Sequence, residues 1–354
     1  MNLTPGHISR QCRKGDFKSV KVGNSYLISE EVVKRLPYKE FNPDELAHHY
    51  RLKQHLAIER NGYKLQILGI LSPGDAASMV YAKTLQKACD FVGINFSLVE
   101  FDLKSFSERI TQANEDPAIH GIFVFYPIFN DERDKEIKDL VAPQKDIEGL
   151  SSFWSKKMFA NERFIDAAKK KKAVLPCTPL GILKTLIYVE YLEENTPRPF
   201  LGKKITIFNR SDVVGGPLAH MLKNDGATVY SFDVDGGFVM EGRKKEVPIS
   251  REEALKQSDI VITGVPSRAF EKVRGEEIRQ NATCLNFSFV ANFEQCAKEK
   301  AGIYVPRVGP MTIAMCLRNA YRLYENYREE YDAHMEASFD WRKYGKLVEL
   351  SDAS

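Results

Sequence analysis

The run Lys204–Asp235, KITIFNRSDVVGGPLAHMLKNDGATVYSFDVD, constrains this chain most, because it reads as strand, tight turn, helix, strand and terminal acid. Ile205–Phe208 is short, apolar and β-branched, and Gly215-Gly216-Pro217 opens a helix that continues through Leu218, Met221 and Leu222 at helical spacing. Gly226 stops that helix, and a second strand, Thr228–Phe232, ends at Asp233. A Rossmann βαβ unit holds a dinucleotide in this way: amides at the helix start face the pyrophosphate, and the carboxylate accepts from the adenosine ribose hydroxyls. A 2′-phosphate beside Asp233 would meet like charge, so NAD is the expected cofactor. Asp235, two residues on, is the competing ribose ligand if the strand runs longer. The usual G-x-G-x-x-G is absent, and its first glycine is replaced by Asn209, a residue that tolerates left-handed backbone. From these residues alone, an ordinary βαβ unit with its acid facing solvent stays open.

The 354 residues predict roughly two domains, and 43% apolar residues are ample for two cores. The formal charge of +3 is spread along the chain, and the brief run Lys169–Lys172 has no interleaved aromatics, so no nucleic-acid partner is expected. No apolar run approaches the roughly 20 residues that span a bilayer, and the N-terminus lacks the apolar core of a secretory signal. Cytoplasmic residence is the default, set against a weak mitochondrial transit signature in Arg10, Arg13, Lys14, Lys18 and Lys21 with the single acid Asp16. Cys12, Cys89, Cys177, Cys284, Cys296 and Cys316 form no C-x-x-C pair and no metal-ligand spacing, so reduced thiols and no metal are expected.

Before the dinucleotide unit the chain alternates helix and strand. Asn42-Pro43-Asp44-Glu45 starts a helix to about Asn61, whose His48, His49 and His55 do not converge on one point and read as a solvated face. Strands follow at 65–71, 96–101 and 122–126, with helices at 76–92, 106–113 and 131–140. Thr178-Pro179 starts a linking helix, and strands at 258–266, 282–288 and 304–306 complete an open sheet. From Pro310 some 30 residues are helical and cross back to the first domain; the tail from Glu329 is largely polar and expected to be loosely held. The fold class is therefore α/β, with a first domain over 1–175 joined by the helix 310–345 and a Rossmann domain over 176–309.

Seven blocks in order carry a resemblance: SPGDAASMVYAKTLQKACDFVGI (72–94), HGIFVFYP (120–127), PQKDIEGL (143–150), LPCTPLGIL (175–183), NRSDVVGGPLAHML (209–222), VITGVPS (261–267) and VPRVGPMTIAM (305–315). Together they resemble the methylenetetrahydrofolate dehydrogenase/cyclohydrolase family over about residues 65 to 325. The resemblance implies two α/β domains around a cleft, folate on the first and NAD on the Rossmann domain, usually in a homodimer. Bifunctional members carry S-x-x-Y-x-x-x-K on the first-domain helix. Here Ser78 and Tyr81 match, but the lysine position holds Leu85; on the next strand the family's V-Q-L-P becomes Val124-Phe125-Tyr126-Pro127, with Phe125 replacing the glutamine that contacts the lysine. At about 100° per residue, Lys83 and Lys87 each lie roughly 160° around the helix from Leu85 and cannot substitute for it. A polar pair has become apolar, as expected when a function and its leftover buried charge are discarded together. This resembles the monofunctional NAD-dependent branch, which oxidises methylenetetrahydrofolate in the one-carbon metabolism that feeds purine biosynthesis, without cyclohydrolase activity.

The resemblance also implies roles. Glu148 stands where an aspartate usually accepts from the pterin N3–H and 2-amino group, and Tyr81 stacks on or orients the pterin; these two are the expected catalytic residues. Ser78, Leu85 and Phe125 line the folate site, beside a wall of Pro306, Gly309 and Pro310 that is one glycine shorter than usual and carries Arg307. Asn209, Arg210, Ser211, Gly215, Gly216, Pro217 and Asp233 hold the cofactor, with Gly264, Val265 and Pro266 under its nicotinamide half. Arg210 argues for NADP, because relatives use an arginine there on the 2′-phosphate, but Asp233 outweighs it. The substrate is expected to be a polyglutamylated tetrahydrofolate. The alternatives are a catalytically silent NAD- or folate-binding protein and a different two-domain NAD-dependent dehydrogenase.

Overall fold

The computed structural model describes residues 19–22, 25–28 and 39–350, apart from 73–75, 102, 127, 130, 195, 243–245 and 333–337. The basic residues Arg10, Arg13, Lys14 and Lys18, and Pro127 of the second block, lie outside the described residues. The chain divides into two compact units: one is built on Asp44–Leu183 with the chain from Gly309 onward, the other on Lys184–Val308 with Lys39–Pro43.

Ser19–Val22 (β1) and Ser25–Ile28 (β2) form an antiparallel hairpin, and Lys39–Glu40 (β3) pairs parallel to a strand near residue 304. The Asp44–Leu183 unit then alternates Asp44–Asn61 (α1), Gln66–Leu71 (β4), Ala76–Val92 (α2), Asn95–Glu100 (β5), Phe106–Glu115 (α3), Gly121–Val124 (β6), Arg133–Leu140 (α4) and Ser152–Phe159 (α5). All six residues of β4 are buried, and it pairs in parallel with both β5 and β6. A strand buried along its whole length, apolar after Gln66, suits the centre of a sheet covered on both faces.

The helix Cys177–Val189 (α6) contains the division between the units. In the second unit Lys204–Phe208 (β7), Gly215–Asn224 (α7) and Thr228–Asp233 (β8) form the expected βαβ. Gly236–Met240 (β9), Val247–Ile249 (β10), Arg251–Gln257 (α8), Ile260–Thr263 (β11), Thr283–Asn286 (β12), Gln295–Lys300 (α9) and Ile303–Val305 (β13) complete it. The sheet order is β10-β9-β8-β7-β11-β12-β13-β3, parallel from β8 to β3, with β9 and β10 added antiparallel at one edge. That edge hairpin is new relative to the sequence reading. It places Asp233 as the last residue of β8, paired with Gly236, and Asp235 in the intervening turn.

The terminal helix Gly309–Asp332 (α10) packs on α1 and α2. It is 24 residues long rather than about 30, and Tyr327 (φ −118, ψ 17) breaks its geometry near the end. The described part of the tail after α10, residues 338–350, is packed against the unit. Lys346–Leu347 (β14) pairs antiparallel with β5, Tyr344 is buried with its hydroxyl donating to Asp116, and Phe339 and Trp341 pack against the core around Phe101 and Phe106. Three aromatics in a polar stretch are enough to anchor it, because each buries a large apolar area.

Candidate active site

The folate-side residues all belong to the Asp44–Leu183 unit, Pro306 excepted. Ser78, Tyr81 and Leu85 are three and four residues apart on α2, so they share one face; Ser78 and Tyr81 are half-buried and Leu85 is 0% exposed. The Tyr81 ring stacks on Phe123 (centroids 6.0 Å, 27°) and meets Phe125 edge-on (6.1 Å, 76°), while Phe123 and Phe125 lie 4.7 Å apart. Phe125, 4% exposed, extends the β6 ladder through its amide to the Ile70 carbonyl (2.9 Å). Burial, then Cys316, Cys177 and Glu148, hold the Tyr81 hydroxyl well above its ordinary value, so it stays a neutral phenol.

The loop KDIEG uses its charges differently. Lys145 is buried and donates to the Ala113 carbonyl (2.9 Å) and the Asp116 carbonyl (2.6 Å), closing the end of α3. Burial pushes its ammonium down to about 8. Asp146 accepts from the Gly149 amide (2.9 Å) and the Ser151 amide (2.8 Å), and Gly149 has φ +70 with a would-be Cβ 2.9 Å from the Leu175 carbonyl group, so only glycine fits the turn. Lys145 and Asp146 therefore build the loop, and Glu148 is what it presents. Glu148 Oε2 accepts from the Val124 amide (3.2 Å). Burial first and then Asp146 push its carboxyl up to about 8.

Asn319 on α10, absent from the sequence-derived site, fastens this loop. Its Nδ2 donates to the carbonyls of Ile147 (3.1 Å) and Leu175 (2.8 Å), while the Cys177 thiol also donates to Ile147 (3.2 Å). A lone asparagine on an apolar helix face was the available signal. Gly309 and Pro310 open α10, whereas half-buried Pro306 follows β13 in the other unit.

On the cofactor side, the left-handed role expected of Asn209 is corrected. Asn209 is not among the residues with positive φ; its side chain does the work instead. Oδ1 accepts from the Ser211 amide (3.0 Å), the Ser211 hydroxyl (2.8 Å) and the Gly215 amide (3.1 Å), and Nδ2 donates to the Gly264 carbonyl (2.9 Å). One side chain thus ties the turn after β7 to the end of β11. Gly215 is obligatory, since a Cβ there would lie 1.9 Å from the Asn209 carbonyl oxygen. Ser211 accepts from the Gly216 amide at its carbonyl (3.0 Å) and from the Val214 amide at its hydroxyl (3.3 Å). Pro217 is buried in the first turn of α7, where no amide is needed.

Arg210 donates to the Ser231 carbonyl (2.8 Å) and hydroxyl (3.3 Å), with its guanidinium 4.8 Å from the Phe238 ring centroid. It is therefore laid along the end of β8. Asp233, two residues past Ser231 on the same strand face, is exposed, and its Oδ1 accepts from the Val234 amide (2.8 Å). Gly264 is crossed by the Phe287 ring, Pro266 is exposed, and Val265 is held on both sides by buried Asn292: its amide donates to Asn292 Oδ1 (2.9 Å) and its carbonyl accepts from Nδ2 (3.0 Å). Asn292 is the second positioning asparagine that sequence reasoning missed.

A strand end, a turn closed onto a helix start and an exposed acid at the next strand end fit a dinucleotide: Asn209–Pro217 would hold its pyrophosphate and Asp233 its ribose. Among known families, residues 43–148 match the tetrahydrofolate dehydrogenase/cyclohydrolase catalytic domain and residues 176–328 match the NAD(P)-binding domain of the same family. The methylenetetrahydrofolate dehydrogenase (NAD(+)) of Schizosaccharomyces pombe is 40% identical over 285 residues, which cover 77% of this chain and 88% of that protein. The protein of the same description from Dictyostelium discoideum is 37% identical over 291 residues, covering 79% and 92%. The structure of the NAD-dependent 5,10-methylenetetrahydrofolate dehydrogenase from Saccharomyces cerevisiae aligns with a TM-score of 0.77 at 34% identity, over 83% of this chain and 99% of that one. With the models of both domains matched in order along its length, this chain belongs to the tetrahydrofolate dehydrogenase/cyclohydrolase family.

Proposed function

We propose that this chain is an NAD-dependent methylenetetrahydrofolate dehydrogenase that oxidises 5,10-methylenetetrahydrofolate to 5,10-methenyltetrahydrofolate and does not hydrolyse the product. The observation that carries this is the buried apolar pair Leu85 and Phe125, on the helix and strand that also carry Tyr81 and its stacking partner Phe123. Opening a methenyl bridge needs water made nucleophilic and protons moved, the work of a poised acid or base. Neither side chain can do it. Oxidation differs: a folate nitrogen lone pair expels hydride from the methylene carbon toward the acceptor that a bound nicotinamide would supply, and the product cation is shared between two nitrogens. No proton is released, so the protein's task is orientation with water excluded.

In this reading Tyr81 positions the pterin as a neutral ring, and Glu148 accepts from its N3–H and 2-amino group. Ser78, Leu85 and Phe125 complete that surface with Pro306, Gly309 and Pro310. Asn209, Arg210, Ser211, Gly215, Gly216, Pro217, Asp233, Gly264, Val265 and Pro266 serve NAD, which supplies the hydride acceptor when bound. The folate domain is drawn over 44–183 with the chain from 309 and the NAD domain over 184–308 with 39–43, in place of the bounds 1–175 with 310–345 and 176–309 drawn from sequence. We assign the protein to a cytoplasmic homodimer acting on polyglutamylated substrate in the one-carbon supply for purine biosynthesis.

The test is one spectrophotometric assay. Purified protein, NAD and 5,10-methylenetetrahydrofolate should yield NADH and methenyl product in parallel, with the methenyl absorbance persisting. Methenyl hydrolysis at a rate comparable to its formation refutes the proposal. Binding of NAD and folate without NADH formation would leave a silent binding protein instead.

A further inference from the structure

A cavity of about 320 Å³ lies between α1, α10 and the chain just before α6, wholly within the Asp44–Leu183 unit. Five cationic side chains line it: Lys53 from α1, Lys170 and Lys172 from the approach to α6, and Arg318 and Arg322 from α10. Among its described lining residues the single carboxylate is Glu325, which is engaged by the Tyr63 hydroxyl (2.5 Å). Arg318 and Arg322 are four apart on one helix, a spacing at which like charges repel. Burial first, then Arg318, push the Arg322 guanidinium down to about 9, so part of the charge gathered here is held at a cost.

We propose that this cavity is a binding site for a small phosphate-bearing polyanion, separate from the folate and dinucleotide positions. Its volume is at the low end of small-molecule sites, roughly 300–1,000 Å³, so a pyrophosphate or phosphorylated metabolite fits and a macromolecule does not. Helix geometry separates it from the folate residues. Cys316 is near enough to raise the Tyr81 hydroxyl, and Asn319 holds the Glu148 loop. At about 100° per residue, Arg318 lies roughly 160° around α10 from Cys316, and Arg322 and Glu325 follow on the Arg318 side. The cavity therefore opens from the opposite face of α10, which makes a polyglutamate tail extending from a bound pterin a poor occupant. The backbone beneath it is tied down: Arg322 donates to the Ala173 carbonyl (3.2 Å) and Asn326 to the Lys172 carbonyl (2.9 Å), presenting the exposed Lys170 and Lys172 on a fixed segment.

The experiment titrates the full chain with pyrophosphate by calorimetry, with saturating NAD present so that the dinucleotide turn is filled. Saturable one-to-one binding is expected, weakening as salt rises from about 0.05 to 0.3 M because the contacts are partly exposed charges. Lys170→Gln with Lys172→Gln changes two exposed side chains outside both proposed substrate sites; it should weaken pyrophosphate about tenfold or more and leave NADH formation unchanged. Arg318→Gln should weaken it as well. The proposal is overturned if pyrophosphate shows no saturable binding, if the double variant binds it as tightly as wild type, or if tetra-γ-glutamate displaces it at lower concentration than inorganic phosphate does.

Discussion

Glu148 carries a quantitative prediction that separates its proposed role from a structural one. With the carboxyl pushed up to about 8, the unliganded protein holds it protonated by about ten to one at pH 7. A pterin presenting N3–H and amino donors needs the ionised form, so binding must first remove that proton. The cost is about tenfold in affinity at pH 7 and about a hundredfold at pH 6. Affinity for tetrahydrofolate, read by calorimetry, should therefore rise about tenfold per pH unit from 6 to near 8 and then level off. Glu148→Gln should give a flat profile lying about one to two orders of magnitude below the wild-type plateau, from loss of hydrogen bonds to a charged group worth roughly 1.5–3 kcal/mol. NAD affinity should be unaffected by either change. The same shift has a stability signature. An acid raised in the folded state contributes stability fully below its unfolded value of 4.5, and that contribution is lost as pH rises through about 8. Unliganded wild type should therefore lose melting temperature across that window relative to Glu148→Gln. A flat wild-type affinity profile refutes the role, and affinity that falls above pH 8 means the protonated carboxyl donates to the pterin instead.

Asp233→Ser should erode the preference for NAD over NADP by about 2–4 kcal/mol in relative kcat/KM, by removing one acceptor and one like-charge clash, whereas Asp235→Ser in the turn should leave it alone; if neither ratio moves, the ribose assignment fails. Arg210 is held chiefly by the Ser231 carbonyl (2.8 Å), which Ser231→Ala leaves in place while removing only the hydroxyl contact (3.3 Å), so adding Ser231→Ala to Asp233→Ser should shift the preference little further. Asn209→Ala strands the Ser211 and Gly215 amides and the Gly264 carbonyl, and should raise the NAD dissociation constant at least tenfold with tetrahydrofolate affinity intact; an unchanged NAD constant would show that the turn holds without it. Leu85→Lys alone should produce no methenyl hydrolysis, because an ammonium placed at a fully buried position beside the Tyr81–Phe123–Phe125 aromatics is driven toward neutrality; detectable turnover from that single change would sink the argument.

What could be read beforehand followed from local pattern. The βαβ unit was legible because its period switches from two to 3.6 and back between Ile205 and Phe232, and β4 because six consecutive buried residues leave no alternation. The antiparallel β9–β10 edge was not. Its strands are five and three residues long, and Gly236, Gly237 and Pro248 weaken the strand signal. The packing of the tail after Glu329 was not legible for a related reason: its polar composition hides Phe339, Trp341 and Tyr344, whose value depends on a core around Phe101 and Phe106, more than two hundred positions earlier.

The same distinction governs the site. Residues that would touch ligand were legible, because their chemistry is carried by type and spacing: Tyr81, Glu148, the glycines of the turn and Asp233. Residues that hold those in place were not, and they are largely asparagines. Asn209 and Asn292 use both ends of the amide, reaching Gly264 and Val265, and Asn319 uses Nδ2 to reach Ile147 and Leu175, so that each closes backbone groups that no ladder reaches. An amide can do this where a charged group cannot, since it offers donor and acceptor together without the burden of buried charge. KDIEG makes the point within five residues. Lys145 and Asp146, the most conspicuous charges, are spent on carbonyls at the end of α3 and on amides of the loop, and Glu148 is left with a carboxyl whose ionisation a ligand can change. Charge in a motif therefore identified the loop, but hydrogen-bond accounting was needed to decide which charge acts.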